Sequence, residues 1–177
     1  MAGVTARTAN WRLFGGSALL IAGILWVLAY LIGTLPWLLA LAFLILAAGL
    51  VIVALGQTGG NGAVGDYVLG KAALIVYAAG WVILAIAQLV ALPAIALVFA
   101  GLFILVGGLV SAYAIYKKGV AKGAARWILF VPAVVGAIWA LSLIAATLAL
   151  PAWFSLVLAI LFAVTGALYL LNDRKIG

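Results

Sequence analysis

An apolar run from Ala72 to Tyr116 is the sequence feature that most constrains this fold. One helix over these residues would measure about 68 Å at a rise of 1.5 Å per residue, but the hydrocarbon core of a bilayer is only about 30 Å thick. Leu92 and Pro93 interrupt the run near its middle. Proline lacks the N–H that a helix interior needs and disfavours helix at the preceding residue. The run therefore predicts two membrane-spanning helices joined by a tight turn.

The same pattern extends along the chain and predicts an all-α integral membrane protein. Of the 177 residues, 71% are hydrophobic and 6% are charged, whereas about a quarter of a soluble domain is charged. Inside lipid, a helix satisfies its backbone hydrogen bonds within one segment. We expect a single transmembrane domain over residues 1–177, with six helices at 13–33, 37–55, 72–91, 94–116, 127–148 and 152–171.

Leu-Pro pairs at a regular spacing predict that these helices form three repeated two-helix hairpins with proline-containing outer turns. The turn prolines lie 57 and 58 residues apart, at Pro36, Pro93 and Pro151. A tryptophan precedes each of them by 10 to 12 residues, at Trp26, Trp81 and Trp139. Landmarks that recur in register indicate an internal repeat. The repeats are predicted at 11–56, 70–117 and 126–172, and loops at 56–71 and 117–126 join them.

Basic residues predict the orientation in the membrane. All nine Lys and Arg residues fall in the termini and the two long loops, and the three proline turns carry no charge. The positive-inside rule then places both termini and both long loops in the cytoplasm, as expected of a prokaryotic inner-membrane protein. Trp11 and Trp127 are expected at the inner interface, and Trp37 and Trp153 at the outer one.

The net charge of +7 predicts contact with anionic lipid headgroups at the cytoplasmic face. The basic loop 117–126 is short and has no interleaved aromatic residues, which argues against nucleic-acid binding. The partners expected are the lipid bilayer and either further copies of the chain or other membrane subunits.

The residue types leave little for catalysis. Cys and His are absent, and Asp66 and Asp173 are the only acids. No span contains Asp, Glu, Lys, Arg or His, the residues that mark proton relays and ion pathways. We expect no enzyme activity, no catalytic residue, no cofactor and no metal.

The glycine-rich loop contains formal matches to two phosphate-binding motifs. Residues 60–65 read G-x-G-x-x-G and residues 65–71 read G-x-x-x-x-G-K. Neither follows a predicted strand, and Ala72 stands where the second motif needs Ser or Thr. The loop is expected to be a flexible connection. A contact between N–H groups at the start of the third helix and a lipid phosphate stays open.

Three tryptophans and one glutamine are the candidate lining of a pocket or constriction. Trp26, Trp81 and Trp139 fall near mid-span, although tryptophan prefers the membrane interface. Gln88 is the only carboxamide in a span. A pseudo-threefold arrangement of the repeats would bring the three rings together. The alternatives are helix packing or lipid contact for the tryptophans, and the outer interface or a helix cap for Gln88.

Small residues at helical spacing predict surfaces where helix backbones approach closely. Such a surface serves either packing within the bundle or an oligomer seam. The residues are Gly107, Gly108, Ser111 and Ala112 in the fourth span, Gly136 and Ala140 in the fifth, and Ala159, Ala163 and Ala167 in the sixth.

A glycine-bearing helix, a short proline turn and a second glycine-bearing helix occur three times, first at Gly23, Pro36 and Gly49. This pattern resembles the HdeD-type acid-resistance membrane proteins of bacteria. The similarity covers nearly all of the chain and rests on hydropathy, length and these landmarks. It implies a stress-related membrane role without a catalytic site.

Two functional hypotheses follow from the sequence. The first is a non-catalytic inner-membrane protein with a structural or interaction role, as a homo-oligomer or as a small accessory subunit of a larger membrane complex. The second is a passive channel or binder for a small neutral or lipidic solute, which requires a cavity lined by the mid-span tryptophans.

Overall fold

A computed structural model describes residues 2–56, 62–145 and 147–171, with side chains from residue 11 onward. These residues form seven α-helices and contain no strand. A π-helical turn (Phe103–Gly107) joins α4 to α5, and a 3-10 turn (Gly123–Arg126) precedes α6. The helices are α1 (Ala2–Ile32), α2 (Pro36–Leu55), α3 (Val68–Leu89), α4 (Ala94–Leu102), α5 (Gly108–Lys118), α6 (Phe130–Ile144) and α7 (Trp153–Leu171).

Six helical segments are long and apolar enough to cross a membrane, and α4, the π-helical turn and α5 together make one of them. The prediction of an all-helical, multi-pass membrane protein is confirmed at this level. The spans are Trp11–Ile32, Pro36–Leu55, Val68–Leu89, Ala94–Lys118, Gly123–Ile144 and Trp153–Leu171.

The six spans close into a ring. Each span packs against its neighbours along the chain, and α7 packs back against α1. Contact between α6 and α7 is sparse, whereas the other adjacent pairs pack along much of their length. The ring therefore has one loosely packed side.

Glycine allows α1 and α7 to pack backbone to backbone. A Cβ at Gly23 would lie 2.6 Å from the Ala163 backbone nitrogen and 2.7 Å from the Ala159 carbonyl oxygen. A Cβ at Gly166 would overlap the backbone of Gly16 and Leu20. These contacts join the first and last spans of the chain.

Two of the three connections at the proline positions are short, and the third is long. Residues 33–35 lead into α2, whose first residue is Pro36, and Pro93 is the N-cap of α4. The last connection is longer than predicted, because α6 ends at Ile144 and α7 begins at Trp153. The predicted end of this helix at residue 148 is wrong, and the connection at Pro151 is not a short turn. Helix α6 packs on α4 and α5 while α7 packs on α1, so this connection joins two helices that hardly touch.

The described part of the glycine-rich loop is folded against the bundle, contrary to the expected flexibility. Ala63 and Val64 are buried. The Ala63 N–H donates to the Val53 carbonyl at 2.7 Å, and the Val120 N–H donates to the Ala63 carbonyl at 2.9 Å. Gly62 fits because a Cβ there would overlap the Val53 carbonyl. Residues 57–61, which include the first two positions of the first glycine motif, lie outside the described residues.

Trp11, which the sequence predicted at the inner membrane interface, is buried inside the bundle and does not face lipid. It is only 1% exposed, and its ring packs edge-on against Tyr169 at 5.6 Å, because this face of α1 is covered by α7. Trp37, Trp127 and Trp153 are at least half exposed. Residue 172, the last of the third predicted repeat, and Asp173, Arg174 and Lys175 after it lie outside the described residues.

Candidate functional site: an aromatic layer and a recess

The two ends of the ring differ in charge. The turn end carries the connections 33–35, 90–93 and 145–152, whose described residues include no charged side chain. The opposite end, here called the basic end, carries Lys71, Lys117, Lys118, Lys122 and Arg126. Arg126 is held there, because its Nε donates to the Tyr116 carbonyl at 2.7 Å and its guanidinium lies 5.1 Å from the centroid of the Tyr116 ring.

Trp26, Trp81 and Trp139 meet inside the ring, from the first, third and fifth spans. The ring centroid of Trp26 lies 5.5 Å from that of Trp81 and 6.2 Å from that of Trp139. Trp81 and Trp139 stack at 5.7 Å with an interplanar angle of 10°. The structure thus brings together the three mid-span tryptophans that the sequence singled out.

Two phenylalanines complete an aromatic layer, defined here as Trp26, Phe43, Trp81, Trp139 and Phe162. Phe43 packs edge-on against Trp26 at 4.8 Å, and Phe162 packs edge-on against Trp81 at 5.5 Å. Each such pair contributes about 0.5–1.5 kcal/mol beyond the area it buries. Trp81 and Phe162 are fully buried, so aromatic rings fill the middle of the bundle at this level.

A cavity of about 330 Å³ lies on the turn-end side of this layer. An adjoining cavity of about 400 Å³ shares Tyr30, Thr34, Trp139 and Ser155 with it and extends beneath the 145–152 connection. We call the two together the recess. The first cavity is lined by Trp26, Tyr30, Thr34, Leu39, Phe43, Leu84, Ala87, Gln88, Leu97, Trp139, Leu143 and Ser155.

The recess has apolar walls and a few polar groups. The described residues that line it include no Asp, Glu, Lys or Arg. The Thr34 hydroxyl donates to the Gly33 carbonyl at 2.8 Å, and the Ser155 hydroxyl donates to the Ala152 carbonyl at 3.2 Å, so both oxygens keep only acceptor capacity. Gln88 supplies two N–H donors and a carbonyl acceptor. The four sequence candidates therefore separate: Trp26, Trp139 and Gln88 line the recess, and Trp81 lies behind it.

This arrangement has the size and the lining that are typical of a small-molecule pocket. Small-molecule sites are typically about 300–1,000 Å³, with apolar and aromatic walls and a few polar groups that fix orientation. Among the described residues, no group of three His, Cys, Asp or Glu residues is placed to hold a metal.

The small residues of the fourth and fifth spans pack within the chain. A Cβ at Gly107 would lie 2.7 Å from the Tyr77 backbone nitrogen, and one at Gly108 would lie 3.2 Å from the Tyr77 ring. Ser111 and Ala112 are buried, and the Ser111 hydroxyl donates to the Gly108 carbonyl at 2.9 Å. Ala140 is buried on α6, where its carbonyl oxygen would be 3.0 Å from a Cβ at Gly101.

The small residues of the sixth span have two surroundings. Ala159 is fully buried beside Gly23. Ala163 and Ala167 are partly exposed. They line an entirely apolar groove of about 310 Å³ between α1 and α7, with Leu20, Ile24, Val27, Leu28, Ile160 and Val164.

Sequence reasoning missed four aromatic residues of this region: Tyr30, Phe43, Tyr77 and Phe162. Tyr77 carried a usable signal, because it precedes Trp81 by four residues and so shares its helix face. Phe43 and Phe162 carried none, since phenylalanine is common on every face of a membrane helix.

Comparison with known proteins gives no match: no family model, no curated protein and no solved structure is similar to this chain.

Proposed function

We propose that this protein binds a small, uncharged, mainly apolar molecule in the recess. The observation that carries the proposal is the recess itself. Its walls are mainly apolar, and its polar groups are the Gln88 amide, the Tyr30 hydroxyl and, near the turn end, the hydroxyls of Thr34, Ser142 and Ser155. Such a site suits a molecule with an apolar body and one hydrogen-bonding group. None of the described residues that line the recess is charged, so none of them can neutralise an ionic ligand, and burying an unpaired charge is costly.

A binder fits the geometry better than an open conduit. The aromatic layer fills the ring between the recess and the basic end, and Trp81 is fully buried there. A molecule in the recess would therefore enter and leave at the turn end or between α6 and α7, where packing is sparse.

The orientation and the repeats are part of the proposal. The charge difference between the two ends supports a cytoplasmic basic end and an external turn end in the prokaryotic inner membrane. The origin of the three tryptophans in alternate spans supports three two-helix repeats around the ring axis. The stress-related role implied by the HdeD-type resemblance stays a prediction.

The test is to purify the full chain in nanodiscs made with its native lipids and identify what is retained in it by mass spectrometry. We expect an uncharged molecule enriched over the bulk lipid. The substitution Ala87→Trp fills the recess and should abolish the enrichment. Gln88→Leu removes about one neutral hydrogen bond, of about 0.5–1.5 kcal/mol, and should lower retention about fivefold.

Leu89→Trp is the matched control, because Leu89 follows Gln88 on α3 but is 62% exposed. It should retain as much of the molecule as the unmodified chain. Equal retention by the Ala87→Trp variant, or no enriched species at all, would show that the recess is not a binding site.

A structural or interaction role is the second candidate. The groove between α1 and α7 favours it, because small partly exposed residues there allow another helix to approach closely. The measurement is the native mass of the protein extracted with its surrounding membrane. In this case Ala167→Trp should reduce an oligomer or a larger complex to the monomer, whereas Val157→Trp, which is outside the groove, should not.

A further inference from the structure

Two polar side-chain atoms lie at the centre of the ring without a hydrogen-bond partner among the described residues. They are the Tyr77 hydroxyl and the Trp81 indole N–H. Both residues are fully buried, and their ring centroids are 6.2 Å apart. The two polar atoms do not form a hydrogen bond with each other.

Such a pair is costly when nothing binds it. A buried donor or acceptor without a partner has lost its hydrogen bonds to water and gained none in their place. The large majority of buried polar groups bond to protein or to ordered water. The cost is higher inside a membrane, where lipid supplies neither donors nor acceptors. Both atoms therefore indicate a bound partner that is small and polar.

Gly136 leaves space for this partner. A Cβ at Gly136 would lie 3.8 Å from the Tyr77 hydroxyl oxygen, and its nearest atom would be Leu158 Cδ1 at 3.7 Å. Gly107 is different, because a Cβ there would come within 2.7 Å of the Tyr77 backbone. Gly107 is needed for close helix packing, whereas Gly136 is buried on α6 and leaves room for one methyl-sized group in ordinary van der Waals contact with the hydroxyl.

We infer that a water molecule is bound in this space, between the Tyr77 hydroxyl and the Trp81 indole N–H. The indole N–H donates to the water oxygen, and the water and the phenol hydroxyl share a second hydrogen bond. Two to four polar partners are what a buried water requires.

This water site is distinct from the recess. Tyr77 lies one helical turn before Trp81 on α3, toward the basic end, and neither residue lines the recess. Trp81 stacks flat on Trp139, which does line it. The water would fix the orientation of the Trp81 ring beneath the floor of the recess. The inference is independent of whether the recess binds a ligand.

The first test is the thermal unfolding midpoint of the full chain in nanodiscs, with and without the hydroxyl. If the water is present, Tyr77→Phe leaves it with one partner and should lower the midpoint by about 2–6 °C. If the hydroxyl has no partner, the same change removes an unfavourable buried group and should raise the midpoint or leave it unchanged. The latter result would overturn the inference. Tyr113→Phe, on the exposed face of α5, is the control and should change nothing.

The second test compares two substitutions at Gly136. Alanine fills the space and displaces the water, so Gly136→Ala should lower the midpoint although alanine favours helix. Gly136→Ser adds a hydroxyl that takes over part of the water's bonding, so it should lower the midpoint less. A dry space predicts the reverse order, because alanine would fill it favourably and serine would bury another polar group.

A spectroscopic readout keeps the inference testable if a variant is too unstable for melting. In ¹⁵N-tryptophan NMR, the Trp81 indole signal is assigned from its loss in Trp81→Phe. We expect its chemical shift to be that of a hydrogen-bonded indole, and to move toward the value of a free indole in Gly136→Ala. An unbonded shift in the unmodified chain would overturn the inference.

Discussion

Helix α7 has two neighbours in the ring, and it meets them in opposite ways. Against α1 it packs so closely that side chains at Gly23 and Gly166 would run into the backbone of the other helix. Against α6 it makes sparse contact, and the space between them opens into the recess. One helix therefore carries both the tightest and the loosest interface of the ring.

Residue size explains the difference. Lipid tails are as apolar as leucine, so membrane helices associate through close packing rather than through the hydrophobic effect. The α1–α7 interface places Gly16, Gly23 and Ala159 where backbones can touch. On the other side, Trp139 and Leu158 project from α6 and α7 toward the interior. Bulky side chains hold these two helices apart, and a cavity forms where they do not interdigitate.

The largest expected effect is at the tight interface. Gly166→Val places two methyl groups against the backbone of α1, and we expect a loss of at least about 3 kcal/mol, the upper range for overpacking. The measurement is the folded fraction in a denaturant titration. Val164→Leu on the exposed face of the same helix should change stability by less than about 0.5 kcal/mol. Equal effects of the two changes would contradict the packing explanation.

The next prediction compares the loss of stability when either of two tryptophans of the aromatic layer is replaced. Trp81→Ala removes a fully buried ring and should cost about 3 kcal/mol. Trp139→Ala should cost less, about 1–2 kcal/mol, because Trp139 is only partly buried and one side of it already faces the recess. Thermal or chemical unfolding of both variants checks the order. If Trp139→Ala is the more damaging, the loose side contributes more to stability than its packing indicates.

At the sparse interface between α6 and α7 we expect the smallest effect on stability. The effect on binding there should still be clear. The chain has no cysteine, so Ser142→Cys and Ser155→Cys create a unique pair on the two sides of the recess. Linking them with a short bis-maleimide should leave the unfolding midpoint the same or higher. It should also slow exchange of the retained molecule about tenfold.

The singly substituted, maleimide-capped chains are the controls for this experiment. They should exchange the molecule at the rate of the unmodified chain. Unchanged exchange in the linked protein would mean that the ligand does not pass between α6 and α7.

The sequence predicted helices well where the local signal is strong. Helix α2 begins at Pro36, one residue before the predicted start, because proline suits the first turn of a helix. The sequence predicted the end of α6 poorly. Residues 145–150 are as apolar as the helix before them, so no local signal marks where the helix ends. Trp11 has the sequence context of an interfacial residue but is buried by α7, which is more than 140 residues away in the chain.

The candidate site was predictable only in part. Trp26, Trp81 and Trp139 stand out because tryptophan is unusual at mid-span. Their neighbours Phe43 and Phe162 do not, and Gly136 looked like any other packing glycine although its surroundings are different. Only the structure separates the residues that line the recess from those behind it.

The sequence by itself determined that the chain crosses the membrane as helices, how many times, and near which residues each span begins. These properties depend on local apolarity, because a backbone in lipid has to satisfy its own hydrogen bonds. The tertiary structure alone decided that α7 closes the ring on α1, that three tryptophans meet, and that the side between α6 and α7 stays open. Helices that are apolar on every face carry no stripe that marks the inner one, so these pairings follow from the fit between side chains of distant segments.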